Sequence, residues 1–592
     1  MIKTLFLSTI FVLMSNAQPS ITYTLSMSKP QSHLLEVEIT LLDFAAKTVA
    51  FHMPAWRTGR YMIFDFSGGV QEFNAVDEKK QHLSFKKIDK DTWVIEKEKS
   101  KTVTVTYKVY ANEFNLRTRE LNTEHAFVDP LSVFMYVEEL KNKPLELKVI
   151  PFKNWNVTTG LEEVPGKPFT FSAPNFEYFG DCPLEIGNQK DFEFFVDGKK
   201  HIISIYGEGN WNSDTLIADF TKIVIANKEL WGDLPYQKYI FMIHCQPNAG
   251  GGTEHINSTI LGVRPFVFSN PVSYKGFLGL VSHEYFHTWN MKQLRPKAFA
   301  PYDFSKENYT EELWVSEGTT SYYDDLILVR TKFSTAKSYL DNITHMVNNE
   351  RSRYGNTIQP LAESSFDSWI KYWRGKQNSQ NAESDYYGKG SHVSLLLDLE
   401  IRQRSKNKFS FDDVLRAMYK RFPSTKGFTN ADLQKVCEEF AGSSMKEIFD
   451  SYLYSTNPLP WEKVLVYAGL EVTVKDSTKK INLGISLQDF GEKTRITNVT
   501  PNSPAEKAEL DINDEIVALN GFRVRSSEFN ERIASMKEGE EISITVFRND
   551  KLKEITLKLE FFGVPSYIVK KVSKSTELQQ AIYEDWLREH WN

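Results

Sequence analysis

The spacing of apolar residues changes character along this chain, and no single layered fold accommodates all of it. From Ser20 to about Asn188 apolar and polar residues alternate, as in Leu34-Leu-Glu-Val-Glu-Ile-Thr-Leu41 and Thr102-Val-Thr-Val-Thr-Tyr-Lys-Val109. A period of two puts every second side chain on the same face, so these runs predict half-buried antiparallel strands. From about residue 190 the pattern mixes: His201–Tyr206 and Tyr239–His244 read as strands, and Ser213–Leu230 as a helix. From Gly276 to about Asn457 the spacing is mostly helical. Phe277–Val281 opens the first helix of that stretch, which should end before Pro296 because proline drives the residue before it out of the helical region. Further helices are expected in Ser321–Arg330, Thr335–Asn349, Ser391–Gln403, Phe411–Arg421 and Ala431–Phe440. A polar stretch, Gly375–Ser384, reads as a surface loop near the site. From about Val472 to Leu559 short strands return, over the length of one small module. The expected organisation is multidomain α+β: a β domain over 18–190, a mixed and then helical domain over 191–465, a second β module over 466–562, and a partly helical tail over 563–592.

The first residues read as an address. Lys3, the mostly apolar Leu5–Met14 and the small residues Ser15-Asn16-Ala17 predict a secretory signal peptide over 1–17, cleaved after about Ala17. That implies a secreted or periplasmic protein. No later segment approaches twenty consecutive apolar residues, so no membrane span is expected. With 71 Lys+Arg against 77 Asp+Glu the formal net charge is −6, which argues against a nucleic acid partner. Cys182, Cys245 and Cys437 are too few and too scattered for a disulfide framework or a cysteine zinc site, although one bridge among them stays open.

The strongest chemical signal is Ser282-His283-Glu284-Tyr285-Phe286-His287-Thr288, an H-E-x-x-H pattern on a predicted helix. Residues i and i+4 share a helical face, so both imidazoles can reach one metal ion, and Glu284 lies close enough to take a proton from a water there. A catalytic zinc needs a third protein ligand and one open position. Glu317, in Leu313-Trp-Val-Ser-Glu-Gly-Thr-Thr320, is the candidate; taken alone it reads more readily as a carboxylate at a helix start, because glutamates are common. Gly250-Gly-Gly-Thr-Glu-His255 is a flexible turn or a glycine edge along which a substrate backbone could lie, with Glu254 placed to bind an α-amine. Tyr387, in Tyr386-Tyr-Gly-Lys-Gly390, is a buried aromatic or an oxyanion donor.

Together these segments resemble the glycyl aminopeptidase family of gluzincin zinc metallopeptidases. The resemblance runs through His283–Pro296, Tyr302-Asp303, Glu307–Thr310 and Leu313–Tyr323. It extends to the amino-terminal domain in Pro54-Ala-Trp-Arg-Thr-Gly-Arg-Tyr61 and Glu124-His-Ala-Phe127. Thr58 stands where the family usually has proline, in a segment far from the ligands in sequence. The resemblance implies a β-sandwich-like amino-terminal domain and a thermolysin-like catalytic domain. It also implies one Zn2+ per chain held by His283, His287 and Glu317, with Glu284 as general base, Tyr387 stabilising the transition state, and Glu254 with Gly250, Gly251 and Gly252 binding the substrate. The carboxy-terminal module resembles a PDZ domain, β-barrel-like, with Asn482-Leu-Gly-Ile485 as its carboxylate-binding loop; this implies binding roles for Leu483, Gly484 and Ile485. Two of that family's usual glycines are Glu509 and Asn513 here.

The expected function is zinc-dependent removal of amino-terminal residues, small ones by family resemblance, from peptides with a free amino terminus. A PDZ-bound carboxy-terminal peptide is a further expected partner. Two other readings stand beside it. One is an endopeptidase of the same chemistry with PDZ-directed substrate capture. The other is a PDZ-based binding protein or chaperone with an unused metal site, whose signature would be a missing ligand or base; neither is missing.

Overall fold

In the computed structural model residues 18–591 are described, apart from 114 and 477–480. The signal peptide read over 1–17 lies outside the described residues. The chain forms two units, Met1–Arg57 with Phe64–Asn188, and Thr58–Ile63 with Gln189–Asn592. The short stretch Thr58–Ile63 thus belongs with the second unit although its neighbours in sequence build the first.

The first unit is β, as the alternation predicts. Ser20–Ser26 pairs antiparallel with Leu34–Leu42 and parallel with Leu145–Ile150, and Leu34–Leu42 pairs in turn with Thr102–Tyr110. These strands belong to a seven-stranded sheet, beside one of four strands and one of three. Ile21, Tyr23, Leu25, Val37, Ile39, Val105 and Tyr107 are buried, while the residues between them are more exposed. The Tyr107 hydroxyl donates to Val133 O at 2.9 Å and accepts from Met135 N at 3.0 Å, so its polar end is satisfied inside the core.

The second unit begins with a five-stranded sheet in the order Lys190–Val196, Lys199–Tyr206, Lys238–Cys245, Ser258–Val263, Gly252–Glu254. The central strand, Lys-Tyr-Ile-Phe-Met-Ile-His-Cys, is buried at all but its first residue, the pattern of a strand covered on both faces. The glycine-rich segment expected to form an edge does so: Gly252–Glu254 pairs antiparallel with Ser258–Val263 at the end of the sheet.

Helices follow. The His283–His287 helix runs Pro271–Phe286, six residues longer at its start than apolar spacing suggests. Asn270 supplies the cap, its side chain accepting from Ser273 N at 2.9 Å, and Pro271 occupies the first turn, where a missing N–H costs nothing. The helix ends at Phe286, well before Pro296. Glu317 lies in a π-turn, Trp314–Thr319, that continues into the α-helix Thr320–Arg330, so the helix expected from Ser321 is preceded by a wide turn that bears the carboxylate. Such wide turns are rare and are frequently found at functional sites. Here Asn290 Nδ2 donates to Val315 O at 2.8 Å and to Ser316 O at 3.2 Å.

The turn bearing Glu317 crosses the helix Gly388–Arg404 backbone to backbone. A Cβ on Gly318 would lie 2.5 Å from the Gly390 Cα, and one on Gly390 would lie 2.9 Å from the Gly318 Cα. Only glycine on both sides lets the two cross, and the crossing brings Glu317 and Tyr387 to one place. Gly390→Ala should destabilise this unit by about 1–3 kcal/mol through overpacking, read as a lower midpoint of thermal unfolding.

The PDZ module is a sheet in the order Ile485–Phe490, Lys493–Val499, Glu515–Leu519, Glu541–Arg548, Lys551–Lys558, with the helix Ser526–Ala534. Leu483, Ile496, Ile516, Phe529, Ile533 and Ile544 form its core. Glu509 and Asn513 keep the left-handed backbone of the glycines they replace, at φ 60° and 71°. Leu470–Asp476 pairs with Ser566–Lys571 in a two-stranded sheet of its own. The tail ends in the helix Glu577–Leu587, whose buried Trp586 donates through Nε1 to the Tyr322 hydroxyl at 2.9 Å. The three cysteines are buried free thiols, so the disulfide left open by the sequence is not formed.

Candidate metal centre and substrate cleft

The H-E-x-x-H spacing does locally what helical geometry requires. The rings of His283 and His287 lie 4.8 Å apart, with their Nε2 atoms 3.2 Å from each other. Glu317 Oε2 stands 3.3 Å from His287 Nε2 and 3.8 Å from His283 Nε2. Donors at about 2.0–2.1 Å from a tetrahedral ion are about 3.3–3.4 Å apart, so the three atoms are spaced to share one cation.

Their outer atoms are held elsewhere. His283 Nδ1 is 2.8 Å from Asp324 Oδ2, His287 Nδ1 is 2.9 Å from Asn290 O, and Glu317 Oε1 accepts from the Tyr61 hydroxyl at 3.1 Å. Each Nδ1 carries the proton shared with its acceptor, which turns the Nε2 lone pair inward. His287, Glu317, Glu284 and Glu254 are all buried.

The electrostatics follow from this crowding. Burial would raise the Glu317 carboxyl, but His287 and His283 outweigh it and hold the group well below its ordinary range. Burial pushes Glu284 up to about 7, with the two imidazoles opposing and Glu254 and Glu317 adding to the rise. For His283 burial works downward, yet Asp324 and Glu317 carry it well above the usual imidazole value. A site that draws protons onto its imidazoles this way draws a cation for the same reason, the ion then replacing the proton.

Glu254, Glu284 and His287 bring ligand-type atoms within 4.8 Å of one another, so the edge strand and the helix meet at this point. Gly252 is packed tightly enough that a Cβ would lie 2.5 Å from Glu284 Oε1; Gly250 and Gly251 face open space, Gly251 at φ +75°. Tyr387 stacks near His283, with ring centroids 6.4 Å apart at 17°, and on Tyr372 at 5.3 Å and 22°. The Gly375–Ser384 segment holds a short helix, Ser379–Ala382, and Asn381 Nδ2 donates to Asn498 Oδ1 at 2.9 Å and Val499 O at 2.8 Å on a PDZ strand. Leu483, Gly484 and Ile485 open the strand Ile485–Phe490, which among the described residues pairs only with Lys493–Val499.

Pro54–Tyr61 is far from the ligands in sequence, yet in space Thr58–Ile63 reaches the cleft. A Cβ on Gly59, at φ +80°, would lie 2.5 Å from Glu254 Oε2, and Tyr61 touches Glu317. The departure at Thr58 has a use: its Oγ1 accepts from the buried Lys292 at 3.3 Å, and Lys292 Nζ stands 4.0 Å from Glu254 Oε1. The motifs do not single out Asn290 or Asp324 either. Both could have been sought, Asn290 three residues past His287 and Asp324 seven past Glu317, on the expectation that ligating histidines are braced from behind.

The helical framework and the convergent histidines and carboxylate define the class as a metallopeptidase. The family models agree on which one: the Peptidase M61 N-terminal domain matches residues 22–188, the M61 glycyl aminopeptidase domain 276–393 and a PDZ domain 482–559. The chain thus resembles the M61 glycyl aminopeptidases in both their amino-terminal and their peptidase domains. Its fold is similar to that of an aminopeptidase N family protein from Idiomarina loihiensis, with a TM-score of 0.88 and 28% identity over 96% of this chain and 100% of that one. Shorter stretches match curated proteins. A probable CtpA-like serine protease of Staphylococcus aureus is 29% identical over 18% of this chain and 23% of its own length. A probable periplasmic serine protease do/HhoA-like of Haemophilus influenzae is 39% identical over 11% of this chain and 14% of its own. The match thus spans less than a quarter of either curated relative. Among the described residues no helix is long and apolar enough to cross a membrane.

Proposed function

We propose that the protein is a zinc aminopeptidase that releases amino-terminal residues, small ones such as glycine and alanine by family resemblance, from peptides. One observation supports this most. Glu254 is buried beside Glu284 and His287, and its far side is closed by the backbone of Gly59. A substrate ammonium paired with Glu254 leaves no room beyond it for preceding residues, which favours cutting at the first peptide bond.

His283, His287 and Glu317 would hold one Zn2+ per chain, a donor set that leaves a fourth position open. When bound, the ion would supply Lewis acidity to the scissile carbonyl and to the attacking water. Glu284, raised to about 7, takes the proton of that water and passes it to the leaving amine. The Tyr387 hydroxyl stays protonated, because burial and then Glu317 hold it well above the ordinary phenol value, and it donates to the developing oxyanion. The strand Gly252–Glu254, last in its sheet and preceded by Gly250 and Gly251, takes the substrate backbone alongside it. The PDZ module, through Leu483, Gly484 and Ile485, offers the outer edge of Ile485–Phe490, which among the described residues pairs on one side only, to a peptide carboxy terminus. A secreted or periplasmic location follows from the leader-like first residues.

Chelation should abolish hydrolysis of unblocked aminoacyl amides, and added zinc should restore it. N-acetylation of the same substrates should prevent cleavage. Cleavage of acetylated peptides would favour instead an endopeptidase fed by the PDZ edge. Glu254→Ala removes a charge-assisted hydrogen bond and should raise KM for unblocked substrates roughly 10- to 100-fold. An unchanged KM would remove the amine-binding role.

A further inference from the structure

Tyr61 belongs to the catalytic unit through a segment the rest of whose neighbourhood builds the other unit. Its ring is fixed on two sides, stacked on Phe299 at 5.7 Å and 8° and edge-on to Trp369 at 6.0 Å and 72°. Arg60 beside it lies over the Trp373 ring at 3.9 Å, and Thr58 accepts from Lys292. The segment is therefore held at three points within four residues, and the Tyr61 hydroxyl has one strong acceptor, Glu317 Oε1 at 3.1 Å; its other neighbour is Met291 Sδ at 4.0 Å.

We propose that Tyr61 is a positioning residue for the metal ligand Glu317: by donating to Oε1 it fixes the carboxylate so that Oε2 alone faces His283 and His287. The geometry carries the assignment. A glutamate side chain has three rotatable bonds and two equivalent oxygens, so without an outer partner it can turn either oxygen, or both, toward the ion. The two histidines each have such a partner, Asp324 and Asn290, and Tyr61 supplies the third. The inference rests on the reading that Glu317 binds the metal.

The test uses the full chain with three proteins, the parent, Tyr61→Phe and Glu317→Ala, and measures zinc affinity by competition with a chromophoric chelator at fixed pH. Tyr61→Phe keeps the ring packing, and its metal-free thermal midpoint should match the parent's. Its zinc affinity should fall roughly 10- to 100-fold, the usual cost of losing an outer-sphere partner. The visible bands of its cobalt form should also shift, which a purely structural ring would not cause. Glu317→Ala should lose more affinity still. Zinc binding by Tyr61→Phe within twofold of the parent, with Glu317→Ala weakened, would overturn the role of Tyr61 alone. Parent-like zinc binding by Glu317→Ala would overturn the metal assignment and this inference with it.

Discussion

Glu284→Gln should keep its zinc and lose roughly 100- to 10,000-fold in kcat, the range that a positioned general base contributes. The substitution is nearly isosteric, so the packing of Gly252 against that side chain survives. What is lost is the proton-accepting oxygen. Its ordinary acidity would make a carboxylate a weak base, and burial between Glu254 and Glu317 corrects this by bringing Glu284 to about 7. Metal analysis beside turnover separates the outcomes. Loss of zinc along with activity would mean that Glu284 supports the ion rather than moves a proton. Full activity with zinc bound would remove it from the mechanism.

Tyr387→Phe should lower kcat about 100- to 1,000-fold, as removal of one oxyanion donor does elsewhere, while KM changes little. The phenyl ring keeps the stacking on Tyr372 and near His283, so the cleft is not reshaped. Tyr386 provides the internal control. It is buried next to Tyr387 and its ring lies 4.9 Å away, yet its place is in the packing against Tyr372. Tyr386→Phe should leave kcat within a few fold of the parent. A reversed pattern would assign the donor role to Tyr386.

Several of these features are legible in the order of residues alone. Strand alternation in Ser20–Leu42 and Thr102–Tyr110 foretells the β unit because burial of one sheet face imposes period two. The two histidines need no tertiary information to meet, since four residues bring a helix round to the same face. The start of their helix is legible only through chemistry, in Asn270-Pro271, because Pro271–Gly276 lacks the apolar spacing that marks a buried face. Glu317 can be selected through the family resemblance, but its π-turn cannot, since that turn depends on Asn290 reaching two of its carbonyls from another segment.

The sequence by itself determined the local parts: the strand and helix periods, the shared face of His283 and His287, the glycines at the cleft edge, and the family resemblance these carry. Only the tertiary structure decided that Tyr61 braces Glu317 across 256 residues and that Gly59 closes the space behind Glu254. Periodicity and spacing report on neighbours within a few turns, whereas these contacts arise where separate backbones are packed together. The same is true of Gly318 against Gly390, where the absence of two side chains decides how closely the segments bearing Glu317 and Tyr387 can approach.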